Sequence, residues 1–227
     1  GYAEGSSMTT SSNSMRCQQC QNEIAQGLKF CPQCGAAVVV AESLVTLGIE
    51  AYNEGEYERA IQDYDEAIKL NPQIAVAYYN RGSAYRALGR SEQALRDFDE
   101  YVKLKPDDAD GYFKRAYTYD DLNQYREAIA DLNECIRLDP ENPFAYNNRG
   151  WSYYNVGDVQ RAIEDYHEAV RVDPENAQLA YVNMSAAYDT LGNADQAEIA
   201  RDHALDIVVT RRLRKLRKVL KFALTVA

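Results

Sequence analysis

The sequence predicts an all-α protein: an α-solenoid of about five helix pairs with a C-terminal helix, preceded by a small cysteine-rich β-hairpin module. The main observation is a 34-residue repeat that starts near Ala41. Equivalent positions hold proline, at Pro72, Pro106, Pro140 and Pro174, and alanine, at Ala60, Ala94, Ala128 and Ala162. Two helical patterns fit in each unit, and a period of this length is typical of stacked helix pairs. The other observations are four cysteines ahead of the repeats and a basic segment after them.

The cysteines form two C-x2-C pairs, at Cys17, Cys20, Cys31 and Cys34. Two residues between the members of a pair let one tight turn aim both thiolates at one point, and two such turns complete the four-sulfur shell of a structural Zn²⁺. Residues of β type flank Gln26-Gly27, which predicts a hairpin there, and Gly35 suits a left-handed backbone. A disulfide is the alternative, but no secretion signal indicates an oxidising compartment. The segment resembles the zinc-ribbon modules of many bacterial proteins over about residues 15–36, and we expect one structural zinc per chain.

Charge divides the chain into segments. The net charge of −10 is the sum of −17 in residues 41–206, which hold 33 acidic and 16 basic side chains, and +7 in residues 207–227, while residues 1–40 balance. We interpret residues 1–14 as an expression tag and flexible arm. The sequence contains neither a secretory signal pattern nor a long apolar run, so we expect a cytoplasmic protein without a membrane span.

Each repeat carries the small residues that closely packed helices need. They recur midway along the first helix of each pair, at Gly48, Gly82, Ala116, Gly150 and Ser185. The turn that follows holds glycine or, in the third unit, Asn123, and both residue types favour the left-handed conformation that ends a helix. With second halves such as EYERAIQDYDEAIKLNP, these positions resemble the tetratricopeptide repeat (TPR) over about residues 41–206. The units lie near 41–74, 75–108, 109–142, 143–176 and 178–206.

The resemblance implies that the first helix of each pair lines the inner face of a superhelix. In NPFAYNNRGWSYYNVGD, residues 142–158, the spacing of Tyr146, Gly150 and Tyr153 predicts packing on the second helix of the same pair. The remaining aromatic and asparagine side chains form a separate stripe that we expect to face the groove. Extended to the other repeats, this stripe gives the predicted peptide-binding residues: Tyr52, Tyr79, Asn80, Phe113, Lys114, Tyr117, Phe144, Asn147, Asn148, Trp151, Tyr154 and Asn183. The alternative is that these aromatic residues only stack helix on helix.

One TPR subfamily is disfavoured by the residues themselves. TPR co-chaperones that grip the C-terminal carboxylate of heat-shock chaperones use a lysine and an asparagine in the first repeat, an asparagine in the second, and a lysine with an arginine in the third. Here the first repeat offers Val45 and Ile49, the second Asn80, and the third Asp110 and Lys114. Only the asparagine matches fully, and Asp110 would repel a carboxylate.

The C-terminal segment combines leucines at helical spacing with basic residues: Arg211, Arg212, Leu213, Leu216 and Leu220. The sequence leaves three interpretations open. The segment is a cap whose apolar stripe covers the last repeat, a helix on an anionic membrane, or a helix docked in an acidic groove, including that of a neighbouring copy. We rank membrane contact below self-association.

The sequence contains no phosphate-binding glycine loop, metal-hydrolase motif or serine nucleophile elbow. We expect Cys135 to be a buried, inert thiol, and the acidic residues of the second helices to lie on solvated outer faces. The sequence therefore predicts a non-enzymatic scaffold that binds a protein or peptide partner in its concave groove. The alternative is a nucleic-acid- or membrane-associated adaptor that acts through the zinc ribbon and the basic helix, although the acidic body disfavours nucleic acid.

Overall fold

The structure, a computed structural model, describes residues 14–16, 20, 22–25, 32–35 and 40–226. Within this part of the chain it contains two short strands and ten α-helices. The helices are α1 Ala41–Asn53, α2 Tyr57–Leu70, α3 Ala75–Ala87, α4 Ser91–Leu104, α5 Ala109–Asp121, α6 Tyr125–Leu138, α7 Pro143–Asn155, α8 Val159–Val172, α9 Gln178–Thr190 and α10 Ala194–Val226.

The helices form five stacked pairs, which confirms the predicted solenoid. Each odd-numbered helix packs on the even-numbered helix that follows it, and each even-numbered helix also packs on the next pair. Successive first helices touch at α1–α3, α5–α7 and α7–α9, whereas successive second helices among those described make no comparable contact. The first helices therefore lie on the shorter, inner side of the curve.

The last helix joins the fifth repeat to the C-terminal segment. From the sequence, we interpret the fifth repeat, near residues 178–206, as a degenerate end repeat that runs into a terminal helix. In the structure, α10 continues without interruption from Ala194 to Val226 over 33 residues. The repeat lacks the closing proline of the other units, so nothing in the backbone stops the helix.

Left-handed residues end the first helix of each pair, as predicted. Asn123 has a φ of 58° and Gly157 a φ of 88°. Such a residue lets the next amide bond back across the helix end, and Asp158 N accordingly lies 2.9 Å from the carbonyl oxygen of Tyr153. This hydrogen bond satisfies an otherwise unpaired carbonyl and fixes the turn between the helices.

The small residues allow close contact within each pair. A Cβ added to Gly48 would lie 2.5 Å from the ring of Tyr64, and one added to Gly150 would lie 2.7 Å from the ring of Tyr166. Both tyrosines have no exposed surface. Substitution of either glycine would therefore push a buried aromatic ring out of place.

The two strands precede the solenoid. β1 (Ser14–Arg16) pairs antiparallel with β2 (Glu23–Ala25), with Met15 opposite Ile24. In the sequence, the two strands flank the segment that contains Cys17 and Cys20. The predicted Gln26-Gly27 turn lies outside the described residues, whereas Gly35 has the predicted left-handed backbone, with a φ of 71°.

Among the described residues, no helix combines the length and the apolar character needed to cross a bilayer.

Candidate binding groove

A concave pocket opens on the inner side of the first three repeats. It has a volume of about 280 Å³. Its lining residues are Ile49, Tyr52, Asn53, Tyr64, Tyr79, Asn80, Ser83 and Lys114. Four of these, Tyr52, Tyr79, Asn80 and Lys114, are residues that the sequence predicted for the groove, so the structure brings them together across α1, α3 and α5.

Tyr79 is a fixed wall of this pocket. Its hydroxyl donates to the carboxylate of Asp110 on the next first helix. Its ring centre lies 5.1 Å from that of Tyr101 and 6.1 Å from that of Phe98. Burial, with a smaller effect of the bond to Asp110, raises the pKa of Tyr79. The residue therefore shapes the pocket as a neutral, immobilised ring.

Lys114 supplies the positive charge of the pocket. Its Nζ lies 5.8 Å from the centre of the Tyr79 ring, a cation–π distance. Within the described part of the chain, no carboxylate oxygen lies within 4.0 Å of this ammonium group. The positive charge is therefore available to a ligand.

A second polar and aromatic cluster joins α3 and α5. The guanidinium of Arg86 stacks 3.8 Å from the centre of the Tyr117 ring, and its Nε donates to Asp121 over 2.6 Å. Phe113 lies beside Tyr117, with 6.5 Å between the ring centres. Tyr117 retains 40% of its accessible surface. The cluster offers one open aromatic face held in place by charge.

Helix α7 carries the exposed aromatic residues that the sequence singled out. The helix begins where Asn142 caps the amides of Phe144 and Ala145, with Pro143 at the first helical position. Phe144 is 61% exposed and Trp151 is 43% exposed. Neither is a core residue, so the alternative that these aromatic residues only stack helix on helix does not explain their exposure.

Tyr154 extends the surface of Trp151. The two rings stack with 6.2 Å between centres and 20° between planes. The hydroxyl of Tyr154 lies 2.9 Å from Thr190 Oγ1 on α9. This contact fixes the aromatic surface to the next repeat.

The asparagines of repeats four and five form a chain. Asn183 Nδ2 donates to Asn147 Oδ1 over 3.1 Å, and Asn147 Nδ2 lies 3.4 Å from Asn148 Oδ1. Asn147 is only 7% exposed. Its amide joins α7 to α9, a structural use that differs from the ligand contact that we expected at this position.

Asp120 is a partly buried carboxyl between α5 and α7. Ser152 Oγ lies 2.7 Å from Asp120 Oδ1 and 3.1 Å from the carbonyl oxygen of Asn148. Burial raises the pKa of Asp120 to about 6, the Ser152 hydrogen bond opposes this rise, and the neighbouring Asp121 adds to it. The groove thus contains a group that titrates near neutral pH.

Three buried arginine–aspartate pairs were not predicted. The pairs are Arg81–Asp97, Arg115–Asp131 and Arg149–Asp165. The three aspartates are 4–6% exposed, so the expectation that the acidic residues of the second helices are solvated is wrong for them. The signal was present in the sequence, because the arginines and the aspartates each recur at 34-residue intervals.

Among the residues whose side chains the structure describes, the basic segment of α10 contacts the loop at Glu175. Arg211 Nη2 donates to the carbonyl oxygen of Glu175 over 2.9 Å, and Arg214 lies 3.0 Å from the Glu175 carboxylate. Leu213 is 52% exposed and Leu216 is 58% exposed. The cap interpretation required these leucines to cover the last repeat, and their exposure shows that they do not. The side chain of Leu220 lies outside the described residues.

The cysteines divide into two groups. Cys135 has no exposed surface, and its burial, with nearby carboxylates, raises the pKa of its thiol to about 12. Cys20 and Cys34 lie in described turns, whereas Cys17 and Cys31 lie outside the described residues.

Comparison with known proteins agrees with this architecture. An uncharacterized protein of Methanocaldococcus jannaschii is 40% identical over 50 residues, which cover 22% of this chain and 58% of that protein. The chain therefore spans little more than half the length of this relative.

Solved structures show a similar fold. A crystal structure of MamA aligns with a TM-score of 0.69 and 24% identity over 73% of this chain and 96% of that one. MamA from Desulfovibrio magneticus RS-1 aligns with a TM-score of 0.71 and 19% identity over 75% of this chain and 96% of that one. YrrB, described as a TPR protein with an unusual peptide-binding site, aligns with a TM-score of 0.65 and 23% identity over 78% of this chain and 91% of that one.

Sequence profiles decide the family. Profiles described as tetratricopeptide repeat match residues 45–109, 98–130 and 143–176, and one described as TPR repeat matches residues 118–157. Together they cover residues 45–176 without a gap. The chain is a member of the tetratricopeptide-repeat family.

Proposed function

We propose that this protein is a non-enzymatic scaffold that binds an extended peptide segment of a partner protein along its inner groove. The observation that carries the proposal is the exposure of Phe144, Trp151 and Tyr117 on the inner helices. Partly exposed aromatic residues provide large contact areas at a low cost in conformational entropy, which makes them frequent anchors in interfaces.

The groove offers different chemistry along its length. The pocket of the first three repeats combines the cation of Lys114 with the amide of Asn80, which can donate to and accept from a peptide backbone. The surface formed by Trp151 and Tyr154 offers stacked rings instead. A segment with a polar or acidic side chain at one end and apolar side chains at the other matches both regions. The peptide-binding site described for YrrB, a protein of the same fold, is consistent with this use of the groove.

A library of random dodecapeptides displayed on phage provides a direct test. We expect selection on the full chain to recover peptides whose binding falls at least tenfold, about 1.4 kcal/mol, when Trp151 is replaced by alanine. Ile199→Ala is the matched control, because Ile199 is an exposed aliphatic residue on α10, away from the groove. Equal loss in both variants, or no loss in Trp151→Ala, would reject the groove as the binding surface.

We also propose that the N-terminal module binds one structural zinc ion through Cys17, Cys20, Cys31 and Cys34. Two observations support the fit. The antiparallel pair β1–β2 brackets the first cysteine pair, and Gly35 directly after Cys34 has a left-handed backbone that suits a turn closing on sulfur. The metal would order this module, and four thiolates leave no open position for catalysis.

A further inference from the structure

The second half of α10 directs an apolar face away from the solenoid. Toward the body, Ala200 and Ala204 are buried, at 2% and 7% exposure, and Ile207 packs on the core of the last two repeats. Four other residues recur every three or four positions and are 44–60% exposed: Leu205, Val209, Leu213 and Leu216. At 100° per residue, this apolar stripe lies on the side of the helix opposite the buried residues.

From residue 205 onward, basic residues occupy much of the rest of this helix, and Asp206 is the one acidic residue of this segment. Arg211 and Arg214 reach back to the loop at Glu175. Arg212 and Lys215 are exposed, and at 100° per residue Arg212 lies beside the stripe. Residues 207–227 contain seven basic and no acidic side chains, and the sequence continues the leucine spacing with Leu220. The result is a helix with one apolar sector and a cationic remainder.

This arrangement disfavours pairing of two such tails. Each tail carries a formal charge of +7, and Arg212 lies next to the apolar stripe that would form the seam. Like charges beside the seam of a helix pair repel one another. A symmetric tail–tail contact would therefore bring 14 positive charges together.

The groove of a neighbouring copy is also a poor receptor for the tail. Its central carboxylates are already engaged: Asp110 accepts from Tyr79, Asp120 from Ser152 and Asp121 from Arg86. Nucleic acid would attract the charge, but it offers no apolar layer for Leu213 and Leu216. The chemistry of the helix instead matches a partner with an apolar interior and an anionic surface.

We propose that residues 205–226 lie flat on an anionic lipid bilayer. The apolar stripe enters the acyl region, and Arg212 and Lys215 extend to the phosphates of the headgroups. A segment of 22 residues is about 33 Å long, and basic residues near an anionic surface add to the attraction of the apolar face. The solenoid packs on the opposite side of the helix, so it stays on the aqueous side. Its charge of −17 acts only over a Debye length of about 8 Å at physiological salt.

Flotation of the full chain with lipid vesicles tests this proposal. Vesicles of phosphatidylcholine with phosphatidylglycerol in equal amounts serve as the anionic surface, and pure phosphatidylcholine as the neutral one. We expect binding to the anionic vesicles that weakens at 500 mM salt, and at least tenfold weaker binding to the neutral ones. Leu213→Asn with Leu216→Asn leaves the charge unchanged and should reduce anionic binding at least tenfold.

The controls separate the partners. Ile199→Asn changes an aliphatic residue on the same helix that is 49% exposed but lies outside the stripe, and it should bind vesicles as the wild type does. Far-ultraviolet circular dichroism establishes that each variant is folded.

Failure of the wild type to bind anionic vesicles, or equal binding by the Leu213/Leu216 double variant, overturns the proposal. A dimer in sedimentation that depends on these leucines, without vesicle binding, would assign the stripe to a second copy. Duplex DNA binding that survives in the double variant, without vesicle binding, would assign the tail to nucleic acid.

Discussion

Arg115 holds the carboxylate of Asp131 with two parallel hydrogen bonds, each 2.7 Å long, from Nε and Nη2. Its third nitrogen, Nη1, donates to Asp99 on the preceding second helix over 2.9 Å. Arg115 thus fastens its own helix pair together and ties that pair to the one before. The aspartate is 6% exposed, and its burial raises its pKa while the hydrogen bonds from Arg115 act in the opposite direction. Loss of Arg115 alone would therefore leave the buried charge of Asp131 uncompensated, whereas loss of both residues would not.

Removal of one partner should cost more than removal of both. Arg115→Met leaves Asp131 buried without a counterion, and we expect a loss of about 3 kcal/mol in the free energy of unfolding. Arg115→Met combined with Asp131→Ala should cost less than half of that. The fifth repeat supplies the precedent, because Met184 and Ala200 occupy the equivalent positions and are each 2% exposed. Urea unfolding followed by circular dichroism measures the difference, and a double variant as unstable as the single one would contradict this account.

The first repeat lacks the arginine. Leu47 takes its place at 43% exposure, opposite Asp63, whose Oδ2 is buried without a hydrogen-bond partner among the described residues. Leu47→Arg should therefore stabilise the protein by about 1 kcal/mol, because it supplies the missing donor at little loss of buried apolar area. The gain should vanish in an Asp63→Asn background. A gain of equal size in both backgrounds would show that the new arginine does not bind Asp63.

The repeat period allowed the helices to be predicted, and it also contained the arginines and aspartates of these cross-links, whose pairing we did not predict. Small residues such as Gly150 and Ala162 recur because the two helices of every pair make the same close contact. Their spacing within one repeat is therefore enough to identify them. Arg149 and Asp165 instead meet across 16 residues, and each alone is typical of a solvated surface. Asn147 likewise makes a contact that its own repeat does not show, because its Oδ1 accepts a hydrogen bond from Asn183 of the next repeat.

Trp151 and Tyr166 should respond differently to truncation. Trp151 is 43% exposed, whereas Tyr166 has no exposed surface and fills the space beside Gly150. Trp151→Ala should change the free energy of unfolding by less than about 1 kcal/mol, and Tyr166→Ala should cost about 3–5 kcal/mol. Thermal unfolding of both variants tests this contrast. A severe drop in the midpoint for Trp151→Ala would place the tryptophan in the core and withdraw it from the groove.

Protein purified without added metal should contain about one zinc ion per chain, because the cysteine spacing closes a four-thiolate shell. Cys17→Ser should lower the zinc content while most of the helical signal remains, since the repeats fold on their own contacts. Cys135→Ala is the matched control and should retain the metal, because this thiol is buried in the third repeat. Elemental analysis decides the matter, and a metal-free protein with a disulfide among the N-terminal cysteines would exclude the site.

Stability should depend on pH through Asp120. Asp120 is partly buried between α5 and α7, and Ser152 Oγ donates to its Oδ1 over 2.7 Å, a hydrogen bond that favours the ionised carboxylate but does not offset the burial. Burial raises the pKa of Asp120 to about 6, whereas an unfolded aspartate titrates near 4. The folded state therefore binds the proton more tightly. The stabilisation is fully present below pH 4 and is lost as the pH rises through 6.

Asp120→Asn should remove this dependence, because the amide stays neutral and its oxygen still accepts from Ser152. Between pH 4.5 and pH 7.5 we expect the wild type to lose about 2 kcal/mol relative to the variant. Urea unfolding of both proteins at each pH gives the difference directly, and comparison at the same pH cancels the contribution of the buried aspartates that pair with arginine. Parallel stability profiles for the two proteins would show that Asp120 is ionised at the same pH in the folded and unfolded states.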